Sequence, residues 1–338
     1  LMNDKKELKK YDIVIVDPPW NQKWEKGKFL EEDDYQRFKY GVPPTASADW
    51  LWVEHIIATL NEKGRAAVIL DKGSLFRIHE KKIRKNIIKN DLIEAVIDLP
   101  SNMFYSNYLP ACILILNRKK TNNLKNKIYF FKIESDEISR SKNTLSEINI
   151  NSIVLSYKKK EEKNFLSNLV EINEIQRHEY NLLPKLYIND YSEIAKERGL
   201  NVFKMENIVN EINFLKRNGK DKFEPMINCF YLPSINNAKS CNSTEGFTMK
   251  PYNYLQIVLK QESAYSEYVC SFFNTDLGHK VREQISLGLS SSEISKAELL
   301  RSEIYLPKIE TQKNILEITS KMQEIIVQLE EYKKKMWK

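Results

Sequence analysis

Glycine is scarce in this chain: nine residues in 338, no two of them in a G-x-G arrangement. That excludes the glycine-rich turns by which many folds bring backbone amides against a phosphate or a cofactor. Cysteine is scarcer still. Cys112, Cys229, Cys241 and Cys270 lie far apart with no C-x-x-C spacing. Neither a zinc site nor a disulfide frame is expected from them, and they read as reduced core residues. No apolar run approaches the roughly 18 residues of a membrane span, and the charged start of the chain has no apolar stretch behind it. A soluble, cytoplasmic protein is expected, with no membrane partner. No P-D…E-x-K arrangement is evident, so DNA cleavage is not assigned.

What is present is an ordinary globular composition, hydrophobic 42% and charged 29%, in a chain long enough for two cores. The net charge of +7 leans toward a polyanionic partner, although a lysine-rich, asparagine-rich composition reaches that balance without one. From Tyr11 to Arg118 short apolar runs alternate with helix-like segments. "DIVIVD" reads as a buried strand, and "DWLWVEHIIATL" from Asp49 has helical periodicity with Asp49 as its expected N-cap. "GRAAVIL", "IEAVIDLP" and "ACILILNR" read as further strands, and Glu80 to Asn90 as a basic amphipathic helix. Apolar strands separated by helices predict an α/β fold with a parallel-type sheet covered on both faces. "KIYFFKI" follows as a strand, and the charged run "YKKKEEKN" as a solvated surface element.

The character changes between Asn189 and Leu200, where asparagine, serine and tyrosine become frequent. The expected division is 1–190, 200–309 and 310–338, the last a helix in which Ile315, Ile318, Met322, Ile325, Leu329, Tyr332 and Met336 form a heptad seam. So narrow a seam on a lysine-rich helix favours pairing with another helix over lying on its own domain.

The first strand ends in "DPPW", Asp17 to Trp20. Two prolines stiffen the turn and remove two backbone donors, leaving the Asp17 carboxylate and the Pro18 carbonyl as acceptors beside the indole of Trp20. Two acceptors and a stacking face suit an exocyclic amine on a flat heterocycle, such as N6 of adenine. Holding both hydrogens leaves the nitrogen lone pair less delocalised and directed at an electrophilic methyl, and a base inside a duplex must be extruded to reach it. A lone four-residue motif is otherwise a strand-ending turn with a core tryptophan, but ligands of open α/β sheets bind where this one stands, at a strand's carboxyl end.

The motif resembles the [DNS]-P-P-[YFW] signature of amino-methyltransferases. Around it, Pro43–Arg77 ("PPTASADWLWVEHIIATLNEKGRAAVILDKGSLFR"), Glu80–Lys120 and Glu171–Pro184 ("EINEIQRHEYNLLP") resemble, in order, the modification subunits of type I restriction–modification systems, an N6-adenine DNA methyltransferase family. The resemblance implies a Rossmann-like methyltransferase sheet with Asp17, Pro18, Pro19 and Trp20 as its catalytic, target-adenine loop. The family usually has Asn-Pro-Pro-Phe there, so Asp17 and Trp20 depart from it while keeping an acceptor and a stacking face. Asp71 and Lys72 stand where the family often has a neutral pair. Phe104, in "LPSNMF", is either a wall of the flipped-base pocket or an ordinary core aromatic.

The family's cofactor is S-adenosylmethionine, held by a D-P-x-C-G-x-G-type loop upstream of the target loop. Only ten residues precede the strand carrying Asp17 and no such loop occurs, so the C-terminal half of the sheet is expected, with weak cofactor binding, no turnover by the chain alone and a bare edge strand. The stretch Tyr268–Ile318 resembles the end of a target-recognition domain in specificity subunits, an α+β module for double-stranded DNA. That likeness implies a DNA-approaching loop at Ser286–Ser295 with Gly288 and Ser290, and phosphate contacts at His279, Lys280 and Arg282; a serine-rich surface loop and a solvated basic face explain the same residues. The expected partners are DNA and a second copy, or restriction–modification subunits, through the C-terminal helix. The competing reading is a DNA-binding remnant or regulatory subunit that does not bind the cofactor.

Overall fold

The structure is a computed structural model and describes residues 2–3, 7–27, 33–100, 104, 109–133, 147–160, 166–188, 191–217, 221–235, 238–287, 293–294 and 296–336. The chain divides into two compact units, Leu1–Asp190 and Tyr191–Lys338.

The first unit is α/β. Its strands β1 (Tyr11–Val16), β2 (Leu60–Asp71), β3 (Ile93–Asp98), β4 (Ala111–Asn117), β5 (Lys127–Lys132) and β6 (Ser167–Glu171) form one sheet in the order β1-β2-β4-β3-β5-β6. β1 runs parallel to β2, and β3 to β5, but β4 is antiparallel to both of its neighbours and β6 to β5. The sheet is therefore mixed where a parallel one was expected. A parallel neighbour needs a long crossover, usually a helix, whereas β4 returns from β3 through Leu99–Pro110 and inserts beside β2.

Helices α1 (Asp49–Thr59) and α2 (Lys81–Lys89) cover one face. Trp50, Val53, Ile56, Ile83 and Ile87 pack there on Val68, Leu70, Val96 and Leu114. The opposite face is covered at β3 and β5, where Ile97, Tyr129 and Phe131 meet Ile153 and Tyr157 of α3 (Glu147–Lys159). The charged run beginning at Tyr157 is accordingly not all solvated. The Tyr157 hydroxyl donates to Glu94 at 2.5 Å and Lys160 pairs with the same buried carboxylate at 3.1 Å, anchoring α3 on β3.

β1 is not the fully buried strand that its apolar run alone predicts, but the bare parallel edge strand that was also expected. It ends the sheet, with Val14 and Val16 against the core while Ile13 and Ile15 are 73% and 81% exposed. Hydrophobicity marks a strand, but burial depends on what lies beside it, and no described element covers this outer face.

The second unit is α+β. A three-stranded antiparallel sheet of β8 (Val209–Phe214), β10 (Tyr254–Leu259) and β9 (Cys229–Pro233) packs against α4 (Ser266–Phe273) and α5 (Asp276–Ile285). Two further strands, β7 (Asn201–Lys204) and β11 (Glu303–Leu306), pair antiparallel. The closing helix α6 runs Ile309–Met336. Gln312, its one buried residue among those described, pins its base by donating to the Pro307 carbonyl at 2.9 Å and accepting from the Tyr265 amide at 3.1 Å. Beyond it the heptad seam lies open, Ile318 at 57% and Met336 at 78% exposure. All four cysteines are free thiols.

Candidate functional site

The sheet brings the ends of β1, β2 and β3 and the start of β4 to one rim, and the predicted Asp-Pro-Pro-Trp loop stands on it. Asp17 is exposed, Pro18 buried, Pro19 exposed and Trp20 half-buried. The carboxylate therefore faces solvent while the proline beside it anchors the turn. The Trp20 indole N–H donates to the Ile69 carbonyl of β2 at 3.2 Å, which fixes the ring. Phe104 meets that ring edge-on, with centroids 4.9 Å apart and planes at 87°, a favourable aromatic geometry. Phe104 thus stands against Trp20, and it also packs on the core around Ile97 and Phe131.

The residue after the motif, Asn21, adopts a left-handed backbone with φ 53°. Three groups hold it there. Its amide donates to the Asp49 carboxylate at 2.9 Å, its side-chain amide donates to Asp71 at 3.3 Å, and its carbonyl oxygen accepts from Arg77. Asp49 is therefore not the N-cap of α1: Ala48 occupies that position, and the Asp49 carboxylate turns sideways to Asn21 and Arg77. The buried acids of this rim outbid the local capping rule because they need a cation.

Arg77 supplies it. Its guanidinium pairs with Asp49 at 2.9 Å, with Glu80 at 3.2 Å and with Asp71, and it reaches Ser47 at 3.3 Å. Burial acts to lower its pKa, but the hydrogen bond it donates to Asp49 and the charges of Glu80, Asp71 and Asp49 outweigh that and raise it. Burial pushes Glu80 up to about 7 despite Arg77 and Arg84. Gly73 lies close under this pair: a Cβ there would stand 2.6 Å from Asp71 Oδ2 and 2.7 Å from Arg77 Nη2, so a side chain would have to displace the ends of those side chains. Beside it Lys72 pairs with Asp98 at the end of β3, whose carboxyl burial raises against the pull of Lys72.

Among the residues singled out from sequence, Asp71 and Lys72 do lie on this rim, whereas Arg77, Asn21 and Asp49 in its supporting network were missed. The available signal was the count of acids in "DW…ILDKGSLFRIHE", three of them converging on one arginine.

In the second unit His279 is half-buried and Lys280 exposed, its ammonium 5.9 Å from the Tyr191 ring. Arg282 does not match a phosphate contact on the surface. It is 3% exposed and donates to the Ala238 carbonyl at 2.8 Å, because its position falls on the stripe Gly278, Val281, Ile285 that α5 buries. Gly288 and Ser290 lie outside the described residues.

The family model for N-6 DNA methylase matches residues 1–196, the span that carries this rim. The chain belongs to the N-6 DNA methylase family. Curated relatives include two type I restriction enzyme methylase subunits of Methanocaldococcus jannaschii. MjaVIII is 36% identical over 234 residues, which cover 67% of this chain and 39% of that protein. MjaVII is 38% identical over 188 residues, covering 52% and 32%. A solved type I methyltransferase subunit from Streptococcus thermophilus is 29% identical, with TM-score 0.48 over 53% of this chain and 38% of that one. The chain thus spans about two fifths of the length of the first of these relatives.

For an N-6 DNA methylase the implied cofactor is S-adenosylmethionine, which needs a close-approach cradle. Gly41, Gly64 and Gly73 do not form one: a Cβ on them would meet, respectively, the Ile83 side chain, the Tyr11 carbonyl and the Asp71–Arg77 pair. No cofactor-binding residue is assigned among the described residues. No described group of His, Cys, Asp or Glu could hold a metal ion. No described helix is long and apolar enough to cross a membrane.

Proposed function

We propose that this chain presents the N6 amine of an adenine, extruded from double-stranded DNA, for methylation in a restriction–modification system. The observation that carries this reading is the Asp17–Trp20 loop, an exposed carboxylate at a strand end beside an indole held by Ile69 and met by Phe104. The Asp17 carboxylate accepts one amine hydrogen and the Pro18 carbonyl the other, while the base stacks on Trp20 with Phe104 as a side wall. Drawing on both hydrogens localises the nitrogen lone pair, the electronic change that the nucleophile needs. S-adenosylmethionine supplies an electrophilic methyl when bound in this family. The second unit contributes DNA recognition through Lys280, His279 and the loop bearing Gly288 and Ser290. α6 pairs the chain with a second copy or with other subunits of the system, and a chain ending at Thr311 is expected to lose that association in sedimentation.

The decisive experiment replaces Asp17 by Ala at the chromosomal locus and maps N6-methyladenine by single-molecule sequencing. The expected result is loss of methylation at one sequence motif throughout the genome, and an unchanged pattern overturns the proposal. The closed-off glycines favour a second reading, a DNA-binding subunit without its own transfer activity. An unchanged pattern together with retained DNA binding supports that one.

A further inference from the structure

The end of the sheet opposite Asp17 carries a feature that the methylation reading does not use. A cavity of about 200 Å³ opens there, lined by Lys10, Tyr35, Arg37, Lys39, Tyr40 and Arg118 among others. Topology brings the four cations together. Lys10 immediately precedes β1, Arg118 immediately follows the antiparallel β4, and Arg37 and Lys39 lie on the segment leading toward α1. The six residues of β1 separate this cavity from the Asp17 loop by roughly 20 Å at the usual strand rise.

Helix-end capping explains part of the cluster. Lys10 donates to the Ala58 carbonyl at 2.5 Å, and Arg118 to the carbonyls of Leu60 and Ile57 at 3.2 and 3.4 Å, so both complement the C-terminal end of α1. It does not explain why Arg37 and Lys39 converge on the same space. Asp33 pairs with Arg37 at 2.7 Å, but among the described residues no ion pair neutralises Lys10, Lys39 or Arg118. Lys39 rests only over the Tyr40 ring, 5.2 Å from its centroid. The crowding has an electrostatic cost: burial first, then Arg118 and Lys39, lower the pKa of Lys10, and Arg37 adds to the burial that lowers His55. Like charges gathered around an open polar space, each with donors to spare, form a recognition geometry for a tetrahedral oxyanion.

We propose that this cavity binds a phosphate group through Lys10, Lys39, Arg37 and Arg118, at a site separate from the target-base loop. The group is carried either by a free phosphate or by a nucleic-acid backbone. Titration calorimetry at constant ionic strength tests this on the full chain, with inorganic phosphate, pyrophosphate and a short DNA duplex as probes. Lys39→Met and Lys10→Met are the variants, and urea melts establish that both fold. The carbonyls at the end of α1 are met by Lys10 and Arg118, so replacement of Lys39 leaves the cap of α1 in place. Saturable binding of phosphate or pyrophosphate that weakens about tenfold in each variant is expected for a free anion. Duplex binding that weakens by the same factor, without a response to the small anions, assigns the site to the DNA backbone. If no probe's affinity changes in either variant, the proposal is wrong. Asp17→Ala is expected to leave anion binding untouched, so failure here and failure of the methylation reading are told apart.

Discussion

Glu54, on α1, permits a quantitative test of the packing behind the Asp17–Trp20 rim. It is fully buried, its Oε1 accepts from the Tyr40 amide at 2.7 Å, and its Oε2 has no hydrogen-bond partner among the described residues. Burial raises its pKa from the ordinary 4.5 to about 8, against the opposing pull of the Tyr40 and Gly41 amides. The folded protein thus holds a neutral acid over a range in which the unfolded chain holds a carboxylate. A carboxyl with a raised folded pKa supports stability below its unfolded value, and that support drains away as pH climbs toward the folded one. The slope is about 1.4 kcal/mol per pH unit, giving about 4 kcal/mol between pH 5 and pH 8. Glu54→Gln keeps the acceptor for Tyr40 but cannot ionise. Urea unfolding of both proteins from pH 5 to pH 9 is the assay. The variant is expected to gain on the wild type steadily up to about pH 8 and then run parallel to it. Glu80, raised to about 7, acts with the same sign in both proteins and cancels from the difference. A difference that stays flat across this range would refute a neutral buried Glu54.

Arg77→Met leaves the buried Asp49, Asp71 and Glu80 without their shared cation and is expected to cost about 3–5 kcal/mol in urea unfolding. Ile15→Lys places a charge on the exposed face of the edge strand. It is expected to shift stability by no more than about 0.5 kcal/mol while lowering self-association in light scattering. Gly278→Ala puts a Cβ 2.0 Å from the Phe272 carbonyl oxygen, where α5 passes the end of α4, and is expected to destabilise by at least about 2 kcal/mol.

The parts legible in the sequence are those set by local rules. Apolar runs became β2 to β5, the proline-stiffened turn stands at the end of β1, and the heptad seam runs along one helix. What was not legible depends on neighbours. The edge position of β1 was within reach of the sequence, but the antiparallel insertion of β4 between β2 and β3 was not, because strand order is a property of the whole fold. Asp49 satisfied the local rule for a cap, and only the arrival of Arg77 from beyond β2 turned its carboxylate elsewhere. Arg282 was a different kind of miss. Gly278 and Ile285 lie four and three residues from it, so the helical period already placed it on the buried stripe. Its charge was weighed and its position was not.

The rim also shows how an exposed carboxylate can be held still. On the reading proposed above this carboxylate meets an amine, so it has to stay exposed and cannot be fixed by burial. Its order has to come from residues on either side. Pro18 supplies it on one side by being buried, and Trp20 by donating to Ile69. On the other side Asn21 is tied to Asp49 and Asp71, which Arg77 in turn holds together. Stability and presentation are therefore carried by different residues. Asp17→Ala should leave unfolding unchanged, while Arg77→Met, several residues away from any substrate atom, should loosen the loop and the fold together. If Asp17→Ala proved the more destabilising of the two, the carboxylate would be a structural group and the division of labour drawn here would be wrong.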